Sequence, residues 1–370
     1  MRFISSQLIS SKGYPVAEHV VQTKDGFILA LQRIPYGRKA AGDYTGKKTA
    51  VFLQHGLLSA ASDFVFNFPE QSLGFLLADS GYDVWLGNTR GNTYSRRHTK
   101  LKPDTDAFWD FSFDEMGAYD LPAMIDYVLN VTHQDQLAYI GHSQGTTAAF
   151  ALLSESPEYN KKLKVFIALA PVASGTYITN VLRYLAPISK DLELLAKYLG
   201  IRDFLPNNKF MKFLSEYLCK DFEKVICENA MFLFFGRDYK EMNVSRIGVY
   251  GAHSPAGSSV RSIVHFGQMI ETDFAKFDFG KKENIARYGQ AIPPKYNISA
   301  ITTPVALISG LNDNLADPVD VAIVAKQLNS LVSNYIIPLR DFNHIDFVTA
   351  IHGKELIFDE VQRLLLKYAR

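Results

Sequence analysis

The stretch QLAYIGHSQGTTAAFALLSES, residues 136–156, decides the fold. Gln136 to Ile140 is a short apolar run of the kind that forms a fully buried strand. Thr146 to Ser156 is rich in helix formers. Between them lies Gly141-His142-Ser143-Gln144-Gly145, a G-x-S-x-G turn placed between strand and helix. That context gives the pattern its chemistry. A serine on so sharp a turn is lifted above the sheet. Glycines are needed on either side because side chains there would collide with the strand or the helix. The helix N-terminus then points N–H groups toward developing negative charge.

Similar apolar runs lie on both sides of this stretch. They are Thr49 to Gln54, ending at His55-Gly56, then Tyr82 to Leu86, Leu163 to Leu169, Val305 to Ile308 and Asn334 to Pro338. Helical patterns separate them, so a mostly parallel central sheet with helices on both faces is expected, an α/β fold. Ahead of it, VVQTKDGFILALQRIP (residues 20–35) reads as a hairpin turning at Lys24-Asp25-Gly26. Leu137 to Val165 and Val305 to Tyr335 each span one strand–helix unit. Val165 to Val305 is far too long for a crossover. An inserted helical cap is therefore expected over residues 173–298, with 1–172 and 299–370 forming the core. The cap holds AMFLFFG (230–236) and amphipathic pieces such as DLELLAKYLG (191–200).

The composition excludes several classes. Among 370 residues the formal net charge is +1, with no basic block, so a nucleic-acid partner is not expected. Val165 to Leu182 lacks charge but contains Pro171 and Gly175, and reads as a buried strand plus loop. No transmembrane segment is expected. The opening MRFISSQLISSKG has no apolar core of a signal peptide. Two cysteines make neither a disulfide framework nor a zinc site, so neither metal nor cofactor is expected.

A serine nucleophile on this architecture is followed in the chain by its acid and then its histidine. His344 lies in the loop after the strand at 334–338, at the end of the sheet where sites form. His352 precedes Gly353 and reads as a helix C-terminal residue. After the strand VALIS, Asp317 precedes Pro318 and reads as a helix N-cap, and Asp320 lies in that helix's first turn. Asp313 has no such role and is the expected acid. The oxyanion needs two backbone N–H donors. Gln144 follows the nucleophile, and Leu57 lies in the loop His55-Gly56-Leu57-Leu58. His55 and His142 read as props for those two loops. Arg90, Arg96 and Arg97 read as an ion-paired structural face rather than a substrate site.

With these residues in place, the chain resembles the acid lipase family, that of the gastric, lingual and lysosomal acid lipases, on the α/β-hydrolase fold. The blocks GYPVAEHVVQTKDGFILALQRIPYG, LQHGLL, DVWLGNTRGNTYSRRH, FWDFSFDEMGAYDLPAMIDYV, GHSQGTT, GLNDNLADP and FNHIDF follow in that family's order and span nearly the whole chain. The resemblance implies Ser143, Asp313 and His344 as the triad, with Leu57 and Gln144 as oxyanion donors. It implies hydrolysis of triacylglycerols or steryl esters at a lipid–water interface, by a monomer or weak dimer that is secreted or lysosomal. The rival readings are a carboxylesterase for small soluble esters and a non-catalytic lipid-binding protein on the same fold. The resemblance makes Asp110 and Asp114 loop and helix-start anchors rather than a metal or glycosidase pair. Phe113 stands where the family often has Trp. Cys219 and Cys227 resemble the family's cap disulfide. One straight helix would hold them about 12 Å apart, so the bridge needs a break in the chain between them. N-x-S/T sequons at Asn130, Asn243 and Asn297 are candidate glycosylation sites.

Overall fold

The computed structural model describes residues 5–38, 48–180, 183, 198–205, 238 and 240–369. Eleven strands occur among them. They are β1 (Ala17–Gln22), β2 (Phe27–Ile34), β3 (Ala50–Gln54), β4 (Asp83–Gly87), β5 (Arg97–His98), β6 (Leu137–His142), β7 (Leu163–Leu169), β8 (Asp203–Phe204), β9 (Ser258–Ser259), β10 (Val305–Ser309) and β11 (Leu331–Ile336). Nine form one sheet in the order β1-β2-β4-β3-β6-β7-β10-β11, with β5 paired to β2. From β4 to β11 every neighbour is parallel, and β1 and β2 add an antiparallel edge. This is the α/β-hydrolase arrangement of a mixed, mostly parallel sheet with helices around it.

Burial explains the pattern. Every residue of β3, β4, β6 and β10 is buried, as a strand covered on both faces requires. Each buried Val, Leu or Phe there contributes roughly 1.5–3 kcal/mol. The edge strands β1 and β11 alternate half-buried with exposed positions. That alternation explains one difference from the sequence reading. The last strand runs over 331–336 rather than 334–338, because Ser333 and Asn334 are tolerated on a half-solvated edge and do not mark a strand end.

The expected hairpin is present. Gly26 takes φ 102, a conformation suited to glycine, and its N–H donates to the Thr23 carbonyl. Asp25 in that turn meets Arg90, whose buried guanidinium also binds Asp120 and lies 4.1 Å from the Phe27 ring centroid. Arg96 pairs with Asp203 at 3.0 Å, and Arg97 is exposed on β5. The cluster is thus largely an ion-paired face.

Four helices matter for the site: α1 (Gln144–Glu155), α2 (Ile247–His253), α3 (Val260–Thr272) and α4 (Pro318–Gln327). The described part of the segment between β7 and β10 is clamped to the sheet domain at several points, among them its start and the surroundings of α2 and α3. At its start, Asp320 of α4 accepts from Ser174 Oγ (2.6 Å) and Tyr177 N–H (2.9 Å). Asp320 is therefore more than a first-turn residue. Beside α2, Tyr250 donates to Asn67 Oδ1 at 2.5 Å. Beside α3, Asp110 pairs with Arg261, Ser259 Oγ donates to the Phe111 carbonyl, and Asp114 accepts from Phe277 N–H and Tyr296 Oη–H. Phe113 is fully buried and stacks on His265 with centroids 3.8 Å apart. Asp110 and Asp114 are anchors, as expected, though they anchor the inserted segment. The local helix start is capped instead by Ser112 and Glu115.

Candidate active site

β6 delivers Ser143 to a turn at φ 52, ψ −120, and α1 starts at the next residue. A non-glycine residue at such angles costs on the order of 1–3 kcal/mol and persists only where its surroundings hold it. Here the Ser143 N–H donates to the Leu169 carbonyl (3.0 Å), while its own carbonyl accepts from Thr146 N–H and Oγ1–H (both 2.7 Å). The flanking glycines have distinct reasons. A Cβ on Gly145 would lie 2.4 Å from the Gln54 carbonyl oxygen of β3. A Cβ on Gly141 would lie 2.8 Å from the Gly145 backbone. The first clash is with the neighbouring strand, the second with the start of α1.

The structure brings three of the expected residues together. His344 Nε2 lies 2.8 Å from Ser143 Oγ. His344 Nδ1 lies 3.0 and 2.9 Å from the two carboxylate oxygens of Asp313. Asp313 and His344 are both buried. Asp313 Oδ1 also accepts the N–H groups of Leu315 and Ala316, which fixes the carboxylate in its loop. Asp317 caps α4 by accepting from Val319 N–H at 2.8 Å. The division of labour between these two aspartates thus matches the local sequence. His352 does not end a helix. It lies on the strip before the final helices and pairs with Glu241 of the inserted segment at 3.0 Å, which raises its pKa.

His344 sits in a tight turn. Asn343 Oδ1 accepts from the Ile345 and Asp346 N–H groups, and Asp346 Oδ2 accepts from Asn343 N–H. The His344 carbonyl accepts from His142 Nε2–H at 3.1 Å. Burial, with His344 nearby, lowers the His142 pKa to about 3, so that ring is neutral. His55 is likewise neutral, lowered to about 4 by burial. Its Nδ1–H donates to the Gly56 carbonyl (2.8 Å) and its Nε2 accepts from Thr89 N–H (3.2 Å). Both act as props, as the sequence suggested. The supporting groups missed by the sequence reading, Thr89, Asn92 (whose Nδ2 lies 3.1 Å from His55 Nε2) and Asp346, carry no local signal that separates them from ordinary loop polar residues.

Leu57 lies in the turn after β3 and Gln144 opens α1, and the two segments meet where Gly56 would bring a Cβ within 3.0 Å of Ser143 Cβ. Asn297 is exposed and Asn243 half-buried, each with its sequon serine hydroxyl on its own Oδ1. Asn130 is exposed in the last turn of a helix. Cys219 and Cys227 lie outside the described residues. Among the described residues, no cluster of side chains suited to a metal ion occurs, and no helix is long and apolar enough to cross a membrane.

Residues 5–68 match the family model described as a partial alpha/beta-hydrolase lipase region, and residues 49–216 match the alpha/beta hydrolase fold. The chain is 43% identical to human gastric triacylglycerol lipase, over 97% of this chain and 90% of that one. It is 43% identical to human lysosomal acid lipase/cholesteryl ester hydrolase, over 98% and 90%. It is 44% identical to lipase lipl-1 of Caenorhabditis elegans, over 98% and 91%. Among solved structures it resembles a thermophilic esterase from Thermogutta terrifontis (TM-score 0.53, 14% identity, covering 95% of this chain and 99% of that one). It also resembles the alpha/beta hydrolase GrgF from Penicillium (TM-score 0.58, 13% identity, 96% and 100%). At these identities the two structures speak for the fold alone.

Proposed function

Given that this chain belongs to the family of gastric and lysosomal acid lipases and is an ester hydrolase of the lipase type, we propose that it cleaves triacylglycerols or steryl esters through an acyl-enzyme on Ser143. The observation that carries this reading is the unbroken line of contacts from Asp313 through His344 to Ser143. Ser143 Oγ attacks the ester carbonyl carbon. His344 Nε2 takes the hydroxyl proton and returns it to the leaving alcohol. Asp313 accepts the Nδ1–H bond, which holds the useful tautomer and stabilises the charged ring. The N–H groups of Leu57 and Gln144 hold the oxyanion. Water then attacks the acyl-enzyme, with His344 as base, and the fatty acid leaves.

Residues 173–298 act in this reading as a cap over the acyl site, and lipid meets the enzyme on that side. The enzyme works as a monomer or weak dimer in a lysosomal or secreted setting, the settings that fit the two relatives' names. Its sequons at Asn243 and Asn297 stand just ahead of short helical turns rather than inside a long helix, and this reading assigns glycans to them.

The test is fatty-acid release from emulsified triolein and cholesteryl oleate beside dissolved p-nitrophenyl butyrate, with Ser143→Ala as control. Release of long-chain acid that falls by about 10⁶-fold in the variant is expected. Wild-type turnover in Ser143→Ala would overturn the assignment, and cleavage of the soluble ester alone would favour a carboxylesterase.

A further inference from the structure

The turn that carries Leu57 is closed by a relay of peptide groups. Gly56 C=O and Leu57 N–H belong to one peptide plane and point opposite ways. That carbonyl accepts from Ser59 N–H at 3.3 Å and from His55 Nδ1–H at 2.8 Å. Ser59 N–H shares its peptide with the Leu58 carbonyl. The Leu58 carbonyl in turn accepts from the N–H of Ala256 at 2.5 Å. The line therefore runs from Ala256 N–H through two peptide groups to Leu57 N–H. Leu58 itself sits at φ 60, where a side chain is held only by its surroundings.

Ala256 comes from the inserted segment, 198 positions away in the chain. It is fully buried, and its carbonyl accepts both the N–H and the Oγ1–H of Thr93, at 2.9 and 3.0 Å. Two residues earlier, Ser254 Oγ donates to Asp63 Oδ1, just past the same turn. The inserted segment thus grips the oxyanion turn at its carbonyl and at its far end.

We propose that Ala256 is a positioning residue for catalysis: its N–H anchors the relay that aims and polarises the Leu57 N–H at the oxyanion. Aligned peptide groups strengthen one another's hydrogen bonds, and the relay's last donor is the one facing the reacting carbonyl. The inserted segment then does more than cover the substrate. It completes the machinery beneath it. This rests on the reading of Ser143 as nucleophile and Leu57 as oxyanion donor.

The test uses Ala256→Pro, which deletes the N–H, beside Ala256→Gly, which keeps it. Both are assayed on dissolved p-nitrophenyl butyrate and titrated with butylboronic acid, whose tetrahedral adduct on Ser143 places an oxygen at the oxyanion position. Expected for Ala256→Pro is a kcat about 10²-fold lower, the scale of one lost oxyanion donor. KM should be unchanged and boronate affinity should fall in proportion to kcat. Ala256→Gly should match wild type. A folded Ala256→Pro with wild-type kcat overturns the proposal, as does a raised KM with unchanged kcat, which would mean the segment only shapes the acyl pocket. If Ala256→Pro fails to fold, the pair Thr93→Val and Thr93→Ser decides. Expected is a kcat about tenfold lower in Thr93→Val, a fraction of the loss that misplacing a site by 1 Å brings, and restored in Thr93→Ser. Equal turnover in the two variants overturns the proposal. Ester cleavage by wild type that survives Ser143→Ala defeats the underlying reading and the proposal with it. Ser143-dependent cleavage that Ala256→Pro leaves intact defeats the proposal alone.

Discussion

Two histidines stand against each other at the end of the sheet, with ring centroids 5.1 Å apart. His344 has a carboxylate on one nitrogen and a serine hydroxyl on the other. Among the described residues, His142 has a backbone carbonyl on Nε2, while Nδ1 is buried with no hydrogen-bond partner. The same side chain at the same depth therefore has two different capacities. A ring whose Nδ1–H is held by a carboxylate can accept a proton on Nε2 and carry the charge. A ring surrounded by apolar atoms and a second histidine cannot, and its pKa falls to about 3. Burial alone suits a prop. Burial with a carboxylate suits the base proposed here.

The largest effects should come from breaking the charged arm of this pair. His344→Ala is expected to lower kcat by about 10⁶-fold, and Asp313→Asn by about 10⁴-fold. Activity in His344→Ala within tenfold of wild type would remove the distinction between the two rings. His142→Ala should behave differently. It leaves the His344 carbonyl without its donor and opens a cavity, so stability should fall by about 2–3 kcal/mol. Turnover should fall by about tenfold through a loosened His344 turn. The acid limb of its pH–rate profile should not move, because His142 is neutral throughout that range. A displaced limb would show that His142 titrates with the reaction.

How legible this was depends on where each residue's partners lie. Ser143 announces itself because its turn, strand and helix are contiguous. Asp313 emerged by elimination, since Asp317 had a local explanation that the structure bears out. The sheet was legible wherever strands are buried on both faces, and misjudged at β11, where one side is solvated. What could not be read is the set of contacts between distant segments. Ala256 with Leu58, Asp320 with Ser174, and His265 with Ser112 join positions more than a hundred residues apart. No periodicity or cap chemistry encodes such a pairing, because it depends on how the inserted segment returns over the sheet.

The finest distinction concerns pH, and Asp346 in the His344 turn sharpens it. Among the described groups whose pKa moves far, burial raises Asp63 and Asp114 to about 6 and Asp346 to about 8, and lowers His55 to about 4 and His142 and His265 to about 3. A raised carboxyl binds its proton more tightly when folded, so its stabilising effect is full below its unfolded pKa of 3.8 and is lost as pH rises through the folded value. A lowered histidine has the opposite sign, and stability is lost as pH falls from 6.5 toward its folded pKa. Between pH 4 and 6 these two sets oppose each other. Above 6.5 Asp346 still contributes, at about 1.4 kcal/mol per pH unit until about pH 8, and the exposed His352, raised by Glu241, adds a small loss of the same sign. Asp346→Asn should remove that slope. The amide oxygen can still accept from Asn343 N–H, and among the described residues Oδ1 has no hydrogen-bond partner to lose. At pH 5 the variant should lie within about 1 kcal/mol of wild type. At pH 8 it should be the more stable of the two, since it brings no charge toward Asp238, Glu241 and Asp313. Urea unfolding at pH 5, 6.5 and 8 decides it: parallel curves for the two proteins would mean that Asp346 ionises without strain, and that the turn holding His344 is no more acid-adapted than the rest of the sheet.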